Sequence, residues 1–267
     1  MSELNTGCVD TFIACCKAIN QGTLIMRESS QDKEFHFQNW VDARLTEAQL
    51  LHDPSGRNTY PDFTLVNYPE GYEVKGLAWP GREADYDSNS RVPSGTHNGR
   101  TVFYIFGRYP AKVTENEYPV VDLVLCHGDF LNADHEYIHE NKSFRGFGSY
   151  GDILIRDRKM YVAPTPFALV DGTTGQRTLI VPEGMITAHP QLEQIGVLRR
   201  VEAETLVVAY TFDLRTNEMT PQLAPNPSAG KEHVFAAFRY RGSGSGDVRM
   251  APPRRVAELQ DEAEVEK

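Results

Sequence analysis

The sequence predicts an α/β fold: a central mixed β-sheet flanked by helices, with an additional β-rich C-terminal half. Three observations predict it. Apolar residues recur at three- and four-residue spacing up to about Leu51, short runs rich in Val, Ile, Phe and Thr recur from Asp62 to Phe238, and Gly, Pro, Asn and Asp clusters separate those runs. With 267 residues, 40% of them hydrophobic, the chain can bury a substantial core as one domain. That domain is expected to span residues 1–250, with a charged, mobile tail over 251–267.

Val9, Phe12, Ile13, Cys16 and Ile19 form the stripe of an amphipathic helix ending near Gly22. A second helix is expected from about Glu34 to Leu51, where Phe37, Trp40, Val41, Leu45 and Ala48 share a face and Asp53-Pro54-Ser55-Gly56 stops it. The period then changes. Asp62 to Asn67 reads as a strand, Pro69-Glu70-Gly71 as a turn and Tyr72 to Ala78 as the returning strand of a hairpin. Further strands are expected at Val102–Phe106, Val120–Leu125, Ile153–Ile155, Met160–Ala163, Thr178–Val181, Leu206–Phe212 and Val234–Phe238. Between Pro80 and Arg100 the pattern lapses into a long polar stretch, which is expected to be a functional loop. Gly242 to Asp247 reads as a flexible link to the tail. The segment from about Pro164 to Phe238 is expected to extend the sheet.

The N-terminal residues MSELNTGCVD lack the basic-then-apolar order of a secretory signal, and no apolar run reaches about 18 residues. A soluble cytoplasmic protein without a membrane partner is expected. Cys8, Cys15, Cys16 and Cys126 have neither disulfide nor zinc-site spacing, so reduced, buried thiols are expected. The net charge of -10 excludes a protein that simply coats nucleic acid. Five acids against Lys267 over the last ten residues account for -4 of it, leaving -6 elsewhere. Two stretches reverse the sign: Lys75 to Arg108, with Arg82, Arg91 and Arg100, and Lys142 to Lys159, with Arg145, Arg156 and Arg158. They allow a basic groove in an acidic protein, whose exterior would disfavour indiscriminate DNA binding.

The chemistry-bearing pattern is Pro61-Asp62 followed, after ten intervening residues, by Glu73-Val74-Lys75. Period two puts Glu73 and Lys75 on one face of a strand, and the hairpin returns Asp62 to that pair. Two carboxylates are a foothold for Mg²⁺, which keeps its other positions for water and phosphate oxygens. An ammonium beside them can hold the attacking water and neutralise the transition state. The Val74 carbonyl is a candidate additional ligand, and the preceding helix offers Asp42 or Glu47, with Glu47 nearer the hairpin.

These residues, with the helix-then-hairpin order from FHFQNWVDARL through NTYPDFTLV to GYEVKG, resemble the active-site motif of the PD-(D/E)XK nuclease superfamily. Type II restriction endonucleases are its obvious members at this length. The resemblance implies a mixed sheet flanked by helices, Mg²⁺-dependent hydrolysis of phosphodiester bonds in double-stranded DNA, and a homodimer acting on a palindromic site. It covers Pro61 to Lys75 by motif and Phe35 to Gly76 by element order. Arg82, Ser88, Asn89, Arg91, Asn98 and Arg100, with His97 among them, supply the side-chain types that read guanine and adenine edges.

Two other readings compete. His135-Glu136-Tyr137-Ile138-His139 matches the H-E-x-x-H zinc helix of metallopeptidases, but its frame is polar and the extension carrying a third ligand is absent. A non-enzymatic binding protein, using the strand-rich second half as a ligand surface, is the other. Metal-dependent DNA cutting separates all three.

Overall fold

The computed structural model describes residues 7–27, 35–53, 59–81, 84–88, 92–111, 116–133, 149–150, 154–156, 160–213, 215, 218–244 and 246–252. Two helices lead: α1 (Gly7–Asn20) and α2 (His36–Glu47). Nine strands then build one mixed sheet: β1 (His52–Asp53), β2 (Phe63–Leu65), β3 (Glu70–Trp79), β4 (Thr96–His97), β5 (Arg100–Pro110), β6 (Asp122–His127), β7 (Arg177–Pro182), β8 (Leu192–Val201) and β9 (Glu232–Tyr240). Their order across the sheet is β8-β9-β7-β6-β5-β3-β2-β1, with β4 paired to β5. The β3–β5 and β6–β7 pairs are parallel, and the other pairs are antiparallel. The protein is therefore an α/β fold with a large mixed sheet and few helices.

Alternation along β3 and β5 divides the side chains between two cores. Tyr72, Phe103, Ile105 and Tyr109 turn to the face covered by α1 and α2, where they meet Phe12, Cys16, Phe37, Trp40 and Leu45. Close docking of α2 depends on Gly107. A Cβ there would sit 2.1 Å from Phe37 Cζ, so any larger residue would push α2 off the sheet.

Leu77, Val102, Tyr104, Phe106, Val124, Ile180 and Phe235 turn to the opposite face. The described cover of this face is not the helical layer that was expected. Among the described residues this second face carries only two four-residue helices, Gly128–Leu131 and Pro166–Leu169, and its cover includes a small sheet. That sheet pairs Asp85–Ser88 with Met160–Pro164, and Met160–Pro164 with Leu154–Arg156. The Tyr86 ring is set edge-on against Phe106 at 5.0 Å. Residues 80–100 are thus not the unbroken loop expected. The sequence hid this strand because its half-buried positions are acids and only Tyr86 and Ser88 are buried.

Strands β7, β8 and β9 continue the sheet beyond β6, while Thr205–Asp213 and Glu218–Pro225 form a separate two-stranded ribbon. The expected flexible link is tied down at its described residues. Arg239 donates from Nη1 to the Gly246 carbonyl at 2.5 Å and from Nη2 to the Gly172 carbonyl at 2.7 Å. Val248 is buried, and Arg249–Met250 pairs with Val170–Asp171. Most of the expected tail, residues 253–267, lies outside the described residues. All four cysteines are buried thiols outside any disulfide, and desolvation pushes the Cys15 thiol up to about 12. Among the described residues no helix is long and apolar enough to cross a membrane.

Candidate active site

The hairpin of β2 and β3 pairs Phe63 with Tyr72 and Thr64 with Gly71. Phe63 and Leu65 face the helices, so the intervening positions, Asp62 and Thr64, turn to the other side of the sheet. Tyr72 and Val74 also face the helices, which leaves Glu73 and Lys75 on the same side as Asp62. Gly71 permits the close approach. Pro61 packs onto it, and a Cβ at residue 71 would stand 2.4 Å from Pro61 Cγ.

The three polar groups meet. The Val74 amide donates to Asp62 Oδ2 at 2.8 Å, and Lys75 Nζ donates to Glu73 Oε1 at 2.6 Å. Glu73 Oε2 is buried without a hydrogen-bond partner among the described residues. The Glu73 and Lys75 side chains retain 13% and 23% exposure, so the pair is sheltered but reachable from solvent. Burial raises the Asp62 carboxyl to about 7, the Glu73 charge adds to the rise, and the Val74 amide and Lys75 ammonium oppose it. Two acids, one with an unsatisfied oxygen and one reluctant to ionise, fit a divalent cation: it would supply the missing partner and relieve the like-charge repulsion.

Asp62 holds its proton more tightly folded than at its ordinary value of 3.8, so this group favours folding below about pH 4 and the advantage is lost as pH rises toward 7. Asp62→Asn is therefore expected to remove a pH-dependent loss of about 1–3 kcal/mol in metal-free protein. Urea denaturation of both proteins at pH 5 and pH 8 checks this: the variant's relative stability must grow with pH, and a constant difference would contradict the stated burial.

Glu47 does not join these groups. It pairs with Arg44 at 2.6 Å and lines a hollow of about 280 Å³ with Asp10, Lys17 and Gln191. Asp42 accepts from, or shares a proton with, His52 at 2.5 Å. Both belong to α2, on the opposite face of the sheet from Glu73, and no cluster of three or more His, Cys, Asp or Glu suited to a metal occurs among the described residues. A sequence gives distance along the chain; the side of a sheet on which a helix docks is decided by packing.

Of the candidate DNA contacts, Arg82, Asn89 and Arg91 lie outside the described residues, as does the His135–His139 segment. Ser88 is buried. Arg100 is turned inward, donating from Nη1 to the carbonyls of Leu65 and Tyr68, where it ties β5 to the β2–β3 turn. Asn98 stays exposed at the β4–β5 turn, with φ 50°, and its side-chain amide lies 3.1 Å from His97 Nε2. Arg108, counted in the expected basic stretch, is also internal and pairs with Asp122.

Two residues near the centre escaped sequence reasoning. Tyr104 stands opposite Glu73 in the β3–β5 register, and its hydroxyl lies 2.9 Å from that of Tyr60. Tyr60 could have been found, because it precedes Asp62 by two residues; Tyr104 required knowledge of which strand pairs with β3.

No protein-family model matches the chain, and neither curated proteins nor solved structures give a match.

Proposed function

We propose that this protein is a divalent-metal-dependent nuclease of the PD-(D/E)XK kind that hydrolyses phosphodiester bonds in double-stranded DNA, in the manner of type II restriction endonucleases. The observation that carries the proposal is the convergence of Asp62, Glu73 and Lys75 on one face of a hairpin, with one carboxylate oxygen buried and unpartnered. The helix-then-hairpin order and the mixed sheet support a restriction-endonuclease-like core.

Asp62 and Glu73, with the Val74 carbonyl, would hold Mg²⁺. When bound, the cation lowers the pKa of water and stabilises charge on the phosphate. The chain's own part is positional. Lys75 carries ammonium protons beyond the one given to Glu73, and these orient the attacking water and offset charge as it develops on the phosphorane oxygens. Water adds to phosphorus as its proton passes to solvent, and the bond to the leaving oxygen breaks, that oxygen taking a proton from solvent. Homodimerisation and site specificity belong to the same proposal. Asn98 is the described candidate left for base contact.

Incubating the purified chain with long unmethylated duplex DNA, with and without Mg²⁺, tests the proposal. Discrete fragments only with the cation are the expected result, and their ends would identify the site cut. A smear would indicate a less specific nuclease. Intact DNA with Mg²⁺ and with Mn²⁺ would retire the reading. Thermal melting gives a second readout: Mg²⁺ should raise the wild-type melting temperature at pH 8 and leave Asp62→Ala unmoved.

A further inference from the structure

Glu73 and Lys75 are fixed by a long ladder: β3 runs beside β5 in unbroken register from Glu70 opposite Thr101 to Trp79 opposite Pro110. Asp62 has no such support. It precedes β2, a three-residue strand that pairs with β3 at Phe63–Tyr72 and Thr64–Gly71 and with β1 at His52–Leu65 and Asp53–Thr64. The reach of Asp62 to Glu73 therefore depends on the turn from Leu65 to Glu70, which sets the hairpin register. Arg100, the half-buried first residue of β5, extends across to that turn. Its Nη1 donates to the Leu65 carbonyl at 2.8 Å and to the Tyr68 carbonyl at 3.1 Å, and the next amide, Thr101, donates to the Pro69 carbonyl at 2.8 Å. Leu65 and Tyr68 stand at either end of the turn, so a single nitrogen draws its ends together.

We propose that Arg100 is a positioning residue for the Mg²⁺ site read above: by clasping the β2–β3 turn to β5 it holds Asp62 against Glu73 before the cation arrives. This rests on the nuclease reading of the same site. Two carboxylates brought together repel each other, and a short hairpin held by few pairs is where the sheet yields to that repulsion. Tethering the turn to β5, the longest strand of the sheet, opposes the opening. A hairpin open part of the time would bind the cation more weakly, in proportion to the fraction that remains closed. The sign sets this role apart from a charge effect. Removing a positive side chain would by itself strengthen binding of a divalent cation, whereas loss of the clasp weakens it. The DNA contact that the sequence suggested for Arg100 differs again, since it would leave binding of the cation alone unchanged.

The test measures Mn²⁺ binding by titration calorimetry without DNA, and the Mg²⁺ dependence of cutting, in intact wild-type, Arg100→Met and Arg100→Lys chains. Arg100→Met keeps an apolar stem and loses the donors. It should weaken Mn²⁺ binding about 5- to 20-fold and raise the half-saturating Mg²⁺ concentration to match, with kcat at saturating Mg²⁺ within about three-fold of wild type. Arg100→Lys should return both quantities to within about three-fold of wild type, because both bonds to the turn come from one nitrogen. A purely structural role would lower the melting temperature of Arg100→Met and leave its Mn²⁺ affinity unmoved well below the melt. Unchanged Mn²⁺ affinity in folded Arg100→Met therefore overturns the inference while the nuclease reading stands, and so does a loss confined to DNA affinity in Ca²⁺ gel shifts. If Arg100→Met does not fold, Arg100→Gln, which is polar but too short to span both carbonyls, is measured in the same way and the same outcomes decide. If wild type fails to cut with Mg²⁺ and Mn²⁺, both readings fall together.

Discussion

Lys75→Ala is expected to lower DNA cleavage about 100- to 1,000-fold while leaving the protein folded and still able to bind DNA. The ammonium is the only positive group described as bonded to the Glu73 carboxylate, and it is also what partly restrains the rise in the Asp62 carboxyl. On the proposed nuclease reading, removing it withdraws a donor from the nucleophile and charge compensation from the transition state together. Asp62→Ala should be as severe, because one of the two carboxylates proposed to hold Mg²⁺ goes. Stability should change little by comparison, about 1 kcal/mol for Lys75→Ala, since the Lys75 side chain keeps 23% exposure. Single-turnover cleavage, a gel-shift assay in Ca²⁺ and a thermal melt would be run on each variant. A Lys75→Ala protein cutting at the wild-type rate would remove Lys75 from the mechanism.

Asp122→Ala is expected to be the most damaging change away from the site, at about 3–5 kcal/mol. Asp122 is fully buried, and both its oxygens receive hydrogen bonds from Arg108, which is 2% exposed. Asp122 Oδ2 also accepts the Gly175 amide at 2.8 Å. The guanidinium lies over the Phe167 ring at 4.2 Å and the Trp79 ring at 5.5 Å, so deleting the carboxylate removes a strong ionic partner from a cation packed among aromatic rings. A buried charge without its partner costs far more than the net value of the pair. The companion variant, Asp122→Leu with Arg108→Met, should therefore be clearly more stable than Asp122→Ala alone, because it removes both charges. Urea midpoints measure the difference; equal midpoints for wild type and Asp122→Ala would show that the pair is dispensable.

The local features of this protein were legible because they depend on short-range periodicity. The α1 stripe of Val9, Phe12, Ile13 and Cys16 is a helix face whatever it packs against, and the alternation at Glu73, Val74 and Lys75 sends two polar groups one way wherever the strand lies. The hairpin partner of Asp62 was legible for the same reason, since a short turn leaves few registers open. Boundaries were less so. The returning strand begins at Glu70 rather than Tyr72, and Glu70 is buried because its carboxylate accepts the Tyr72 hydroxyl at 2.7 Å and the first amides of α1, a long-range contact that no local pattern announces.

The same distinction separates the polar groups whose placement was legible from those whose placement was not. Arg100, Arg108 and Ser88 looked like surface polar residues, yet the fold turns each of them inward, to carbonyls, to Asp122 and into the second core. Glu47 looked near the hairpin in sequence and was set on the other side of the sheet by the docking of α2 through Phe37 onto Gly107. The sequence by itself determined the α/β class, the two leading helices and the meeting of Asp62, Glu73 and Lys75, because helix and strand periods and one tight hairpin suffice for these. Only the tertiary structure decided which face α2 covers, which arginines are buried, and that Tyr104 stands opposite Glu73: each depends on pairing β3 with a strand that begins some twenty residues later, and burial is a property of the assembled sheet.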